Sequence, residues 1–152
     1  MKNNVFEDET VTIMVNRINK LTHETTPEWG KMNVGQMLAH CNVAYEMAYN
    51  NTLKRPNAFT RLMLKTFVKP MVVNGKPYKK NSRTAPQFLI TDERDFDNEK
   101  AKLLDFIIKT KSLGETHFEQ KESHGFGKLN AQEWSNSFYY HLNHHLEQFG
   151  VK

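Results

Sequence analysis

Apolar residues along the chain recur mostly every three or four positions, the period of a helix that buries one face. Val11, Met14, Val15, Ile18 and Leu21 form the first stripe and predict a helix over residues 8–22. Pro27 and Gly30, around Trp29, then mark a connection. Asn33 followed three residues later by Gln36 has the spacing of a capping box, in which each side chain accepts the other's backbone N–H, so a second helix is expected to start there. Val34, Met37, Leu38, Cys41, Ala44, Tyr45 and Ala48 carry it to about residue 50, where Asn50, Asn51 and Thr52 end it. Phe59, Leu62, Met63 and Phe67 predict a short helix within residues 57–67. Pro70, Gly75, Pro77 and Pro86 predict an extended, irregular crossover over residues 69–87, long enough to be a lid or a ligand-contacting segment. A third long helix is expected over residues 97–112, capped by Asp95 or Asp97, with Ala101, Leu104, Ile107 and Ile108 inward and Gly114 as its stop. Residues 115–128 read as a connection with extended character at 116–119. Asn130 and Glu133 repeat the capping-box spacing and open a last helix to about Phe149, ended by Gly150. The only other β-like runs, 71–73 and 88–91, are too few for a sheet. The expected fold is therefore all-α: one antiparallel four-helix bundle spanning residues 1–152, with one long crossover connection.

Composition narrows the class. A chain of 152 residues with 38% hydrophobic and 25% charged residues can bury one core, which excludes disordered and collagen-like architectures. The longest apolar runs, 67–73 and 103–108, are too short and too interrupted to span a bilayer, and Glu7, Asp8 and Glu9 stand where a secretory leader would be apolar. A single cysteine, Cys41, leaves no internal disulfide and makes a reducing cytoplasm the expected compartment.

Charge is unevenly placed. No acidic residue lies between Glu46 and Asp92, yet Lys54, Arg55, Arg61, Lys65, Lys69, Lys76, Lys79, Lys80 and Arg83 do. Nine of the 21 basic residues thus occupy that stretch, and the remainder of the chain is net negative by five. Such a segment favours an anionic partner, although a solvated loop with chance clustering accounts for it as well. Lys76, Lys79, Lys80 and Arg83 are the candidate ligand-binding residues.

Seven histidines are many for this length, and His141, His144 and His145 fall within five residues of the last helix. His141 and His145, four apart, share a face with Trp134, Phe138 and Leu142, while His144 lies on its shoulder. One helical turn of about 6 Å brings two imidazoles to a common point, the spacing used to hold one metal. Two readings stay open for this pair: a shared metal, or a hydrogen-bond network that satisfies both rings. His40, at the edge of the second helix's stripe, is the candidate third ligand or an ordinary half-exposed histidine. Cys41 reads as core filler, and His23, His117 and His124 as residues of helix ends or loops.

The runs Trp29-Gly30-Lys31-Met32-Asn33-Val34-Gly35-Gln36-Met37-Leu38-Ala39-His40-Cys41, Phe126-Gly127-Lys128-Leu129 through Glu133-Trp134, and His141-Leu142-Asn143-His144-His145-Leu146-Glu147-Gln148-Phe149-Gly150-Val151 resemble the DUF1569 family within the DinB/YfiT-like metalloenzymes. The resemblance covers most of the chain. It implies a four-helix bundle in which one histidine of the second helix and a pair on the last hold one divalent metal, here His40, His141 and His145. His145 to Gln148 resembles the HxxQ that follows the last ligand in DinB-type proteins. Ser123-His124-Gly125 departs from the His-Pro that relatives often carry before the Phe-Gly step.

Three imidazoles leave coordination positions open, the pattern of a catalytic centre, and zinc or nickel suits them, as do iron and manganese. The resemblance extends to thiol S-transferases and a thiol-dependent isomerase, so the first expectation is a metal-dependent thiol transferase or hydrolase. Its substrate is expected to be an anionic small molecule, such as a low-molecular-weight thiol, met by the basic crossover. The alternative is a non-catalytic metal-binding or stress-response module that uses the crossover for a partner. No general base is singled out among Glu147, Tyr140 and His144. No helix-turn-helix, zinc finger or aromatic-basic platform is apparent, so neither nucleic acid nor membrane is an expected partner. Phe59, Phe67, Tyr78 and Phe88 offer apolar surface on which a homodimer could close.

Overall fold

The computed structural model describes residues 3–50 and 53–152. It is mostly helical, with α1 (Asp8–Asn19), α2 (Val34–Tyr49), α3 (Ala58–Met63), α4 (Lys69–Val73), α5 (Phe96–Phe118) and α6 (Ala131–Gln148). Both expected capping boxes form. Asn33 Oδ1 accepts from Gln36 N at 2.9 Å while Gln36 Oε1 accepts from Asn33 N at 3.0 Å, and Asn130 and Glu133 repeat the exchange at the start of α6. Asp95 caps α5, accepting from Asn98 N at 2.8 Å. Tyr49 is the last residue of α2; Asn51 and Thr52, expected to end it, lie outside the described residues.

The core lies between the four long helices. Met14 and Ile18 of α1, Met37, Leu38 and Tyr45 of α2, Leu103 and Ile107 of α5, and Phe138, Leu142 and Leu146 of α6 are all buried in one cluster. The Tyr45 ring stacks on Phe138 with centroids 4.5 Å apart and on Phe106 at 5.5 Å, which knits α2 to both neighbours. Full burial of each such side chain stabilises the fold by about 1.5–3 kcal/mol, so the periodic stripes decide the packing. Arg17 locks the C-terminal end of α6 to α1. Its Nη2 and Nε donate to the Val151 carbonyl at 2.8 and 3.2 Å, and Nη1 to Asn143 Oδ1 at 2.7 Å.

Besides the inward face of α5, where Leu103 and Ile107 are buried but Ala101 and Ile108 are exposed, three expectations need correction. Residues 69–73, expected to open an extended crossover, form α4, because Pro70 lies in its first turn, where a missing N–H costs no helical bond. A π-helical turn, Leu64–Val68, joins α3 to α4 into one nearly continuous helical segment, and residues 71–73 are accordingly helix, not strand. That segment is also turned differently from its sequence pattern. Phe59, Leu62, Met63 and Phe67 are exposed, and Leu64 and Val68 face inward instead. Third, Gly114 does not end α5. At φ +72°, a value favoured for glycine, it breaks the helix, which resumes to Phe118, so residues 116–118 are not extended. Extended backbone appears slightly later, as the antiparallel pair Lys121–Glu122 and Lys128–Leu129 ahead of α6.

Candidate metal centre

His40 projects from the middle of α2, and His141 and His145 from successive turns of α6, toward one point between the two helices. One ring nitrogen from each lies within 4.8 Å of the others. His141 Nε2 is 3.0 Å from His40 Nε2, and the His40 ring centroid stands 4.4 Å from that of His145. His40 and His145 are buried, His141 is half-buried, and all three border a cavity.

Hydrogen bonds behind the rings fix which nitrogens face this point. His40 Nδ1 lies 2.8 Å from the Phe88 carbonyl oxygen, which can only accept, so the proton is on Nδ1 and Nε2 carries a lone pair. His145 Nδ1 lies 2.7 Å from Gln148 Oε1, and Gln148 Nε2 donates to the Trp29 carbonyl at 2.7 Å. That second bond orients the amide, so His145 also donates from Nδ1 and keeps a lone pair on Nε2. His141 then has two options. It donates from Nε2 to His40, or it carries its proton on Nδ1 and turns a third lone pair to the same place. Gly30 makes the Trp29–Gln148 contact feasible. It has φ +84°, and a Cβ there would come within 2.5 Å of Gln148 Nε2.

Electrostatics favour neutral imidazoles. Burial lowers the pKa of His40, only partly opposed by the Phe88 carbonyl. Burial and the neighbouring rings of His40, His145 and His144 hold His141 well below the usual imidazole range. His145 falls to about 3, mainly through burial and His40. Three neutral, converging nitrogen donors are what a divalent transition metal takes as ligands, whereas three protonated rings would repel. Nitrogens bound to one zinc at about 2.0–2.1 Å stand roughly 3–3.4 Å apart, and the His40–His141 separation fits that range. The donor set therefore fits a borderline-soft divalent ion.

Beside the histidines is a cavity of about 530 Å³, bounded by α2, α6, the 58–73 segment and the crossover. Lys79 and Arg83 lie on its wall. Lys76 and Lys80 do not; Lys76 is exposed, and Lys80 Nζ rests 4.0 Å from the centre of the Trp29 ring. Of the three open general-base positions, only His144 borders the cavity, held by the Tyr78 backbone. Glu147 accepts from Asn143 at 3.1 Å, and the Tyr140 hydroxyl contacts Asn3 at 3.5 Å, both away from it. His124 also lines the wall, whereas His23 pairs with Asp97 at the surface. Cys41 is core, its thiol against Met37 Sδ at 3.8 Å and its pKa raised by burial. Tyr78 and Phe88 pack against the histidine rings, so among the four residues considered for a dimer surface only Phe59 and Phe67 are exposed.

The sequence reading missed the backbone carbonyls of Phe88 and Trp29. Neither leaves a residue-type signal, since any residue supplies a carbonyl. Tyr78, whose ring lies against His141 and His144, also belongs to the site, and burial raises its hydroxyl pKa.

The fold and site describe a mostly helical protein with a three-histidine group beside an organic-sized cavity. The chain belongs to the family described as Protein of unknown function (DUF1569), whose family model matches residues 6–152. Searches of curated proteins and of solved structures found no significant match.

Proposed function

We propose that the chain is a metal-dependent enzyme of the DinB/YfiT-like type, a four-helix bundle in which His40, His141 and His145 hold one divalent transition metal. The carrying observation is the convergence of three ring nitrogens within 4.8 Å, with the His40 and His145 tautomers fixed by acceptors behind them. Zinc or nickel is the favoured ion, with iron and manganese also compatible with imidazole. Such an ion, when bound, supplies Lewis acidity to polarise a carbonyl or to stabilise a thiolate. The chain's own residues do the rest. The Phe88 carbonyl and Gln148 orient the ligand rings, Lys79 and Arg83 attract an anionic small molecule, and the apolar wall excludes water from the reacting end. Thiol transfer from a low-molecular-weight thiol and hydrolysis are the two reactions this arrangement supports.

The test is elemental analysis of tag-free protein, wild type beside His40→Ala, His141→Ala and His145→Ala. About one equivalent of a transition metal in the wild type, lost in each variant, is expected. A wild type that is empty and takes up neither zinc nor nickel would overturn the proposal. A second reading, a non-catalytic module, is favoured by the exposed Lys76, which lies off the cavity wall. Under it, His141→Ala loses the metal but keeps partner binding.

A further inference from the structure

The cavity beside the histidines is far more apolar than a small hydrophilic substrate requires. Leu64, Val68 and Val72 face it from the 58–73 segment, Met47 from α2, and Phe88 and Ile90 from the stretch between the crossover and α5. Among the described residues no aspartate or glutamate lines it, while the cations of Lys31, Lys79 and Arg83 stand at its exposed margin. The histidines are its deep end, since His40 and His145 are buried. A volume of about 530 Å³ encloses a drug-sized organic molecule, commonly held in pockets of about 300–1,000 Å³. A small hydrophilic anion would leave most of this wall against water, whereas a hydrocarbon body would dehydrate it favourably.

We propose that the cavity binds a monoanionic amphiphile. Its hydrocarbon chain or ring body is enclosed by Leu64, Val68, Val72 and Phe88, and its carboxylate, sulfonate or phosphodiester is held by Lys79 and Arg83. That the amphiphile is also the substrate rests on the metal-dependent reading above; that it binds does not. The spacing of inward residues along the helical segment supports the enclosure. Leu64, Val68 and Val72, on successive turns of the segment, all line the cavity, so one side of the segment covers the ligand.

Calorimetric titration of the full chain with butanoate, hexanoate and octanoate, and with octanol as the neutral counterpart of octanoate, tests this. Affinity is expected to rise about fourfold per methylene. Octanoate is expected to bind at least about fivefold more tightly than octanol, the effect of roughly one favourable charge contact. Lys79→Glu/Arg83→Glu, at exposed positions that leave the fold intact by circular dichroism, leaves Lys31 as the one cation of the wall against two new carboxylates, and should abolish that preference and leave octanol binding unchanged. Val68→Trp, which fills the cavity, should weaken octanoate at least tenfold. A flat chain-length series, equal affinity for octanoate and octanol in the wild type, or an unchanged preference in the charge-reversed variant would each overturn the proposal. Repeating the titration on chelator-treated protein separates the two readings. A retained series in protein that never takes up metal removes the metal reading alone, and a flat series in metal-loaded protein removes the amphiphile alone.

Discussion

Gln148 is the residue through which the loop before α2 orients the His145 ring, so replacing it probes the site without touching a proposed ligand. Gln148→Leu keeps the approximate volume but removes the acceptor for His145 Nδ1 and the donor to the Trp29 carbonyl, contacts of 2.7 Å each. Both partners lie in or beside buried structure, and each orphaned buried group costs about 1–3 kcal/mol. The loss is expected to total about 2–4 kcal/mol, which lowers the melting temperature of a domain this size by about 5–12 °C. Without its acceptor, His145 is free to carry its proton on Nε2, and zinc affinity should fall about 10- to 100-fold, as is usual when the hydrogen bond behind a ligating histidine is removed. Gln148→Glu is the informative companion. Its carboxylate still accepts from His145 Nδ1 but cannot donate to Trp29, so it should keep zinc affinity close to wild type while losing part of the stability. Thermal unfolding and competition with a chromogenic chelator measure the two effects separately. Zinc affinity of Gln148→Leu within twofold of wild type would refute the claim that this bond sets the His145 tautomer.

Gly30→Ala should act on the same bond from the other side. At φ +84°, with the new Cβ only 2.5 Å from Gln148 Nε2, it is expected to cost about 1–3 kcal/mol and to weaken zinc binding, checked by the same two assays. Acid should destabilise the chelator-treated protein. Burial lowers the pKa of His40, His141 and His145 in the folded state, His145 to about 3, whereas the unfolded chain protonates near 6.5. The unfolded state therefore binds more protons below about pH 6.5, and unfolding free energy should fall by about 1.4 kcal/mol per pH unit for each imidazole kept neutral, continuing toward pH 3 for His145. Urea midpoints that stay flat between pH 7.5 and 5 would contradict this. Cys41, fully buried with its thiol pKa raised, should resist a thiol-specific reagent in the native protein and react with about one equivalent after unfolding.

The parts of the fold that were legible in sequence are those where one local rule acts alone. Asn33 with Gln36 and Asn130 with Glu133 place two helix starts because the capping partners lie three residues apart. His141 and His145 are legible as a pair because four residues make about one turn. The 58–73 segment defeats the same reasoning. It is apolar on both sides, so periodicity cannot say which stripe is buried, and the π-helical turn at Leu64–Val68 shifts the phase partway along. Pro70 reads as a breaker until the helix start puts it in the first turn. His40 is buried although its position in the α2 stripe suggests an edge, because the crossover folds back and the Phe88 carbonyl caps its ring. That contact joins residues 48 apart, and no spacing rule reaches it.

The same crossover explains why an acid-free stretch and a histidine cluster occur in one small chain. Three neutral imidazoles leave a divalent ion's charge uncompensated by the protein, unlike a set containing carboxylates or thiolates. A glutamate or aspartate on the cavity wall would fill an open coordination position and neutralise Lys79 or Arg83, and among the described residues that wall has neither. With a metal held there as proposed, the site would prefer an external anion at two depths: at the point among the buried rings, and at the cations of the exposed margin. Between these lies apolar wall that neither charge can satisfy. A small inorganic anion answers only one of the three demands, whereas a molecule with an anionic end, a hydrocarbon body and a polar reacting end answers all of them.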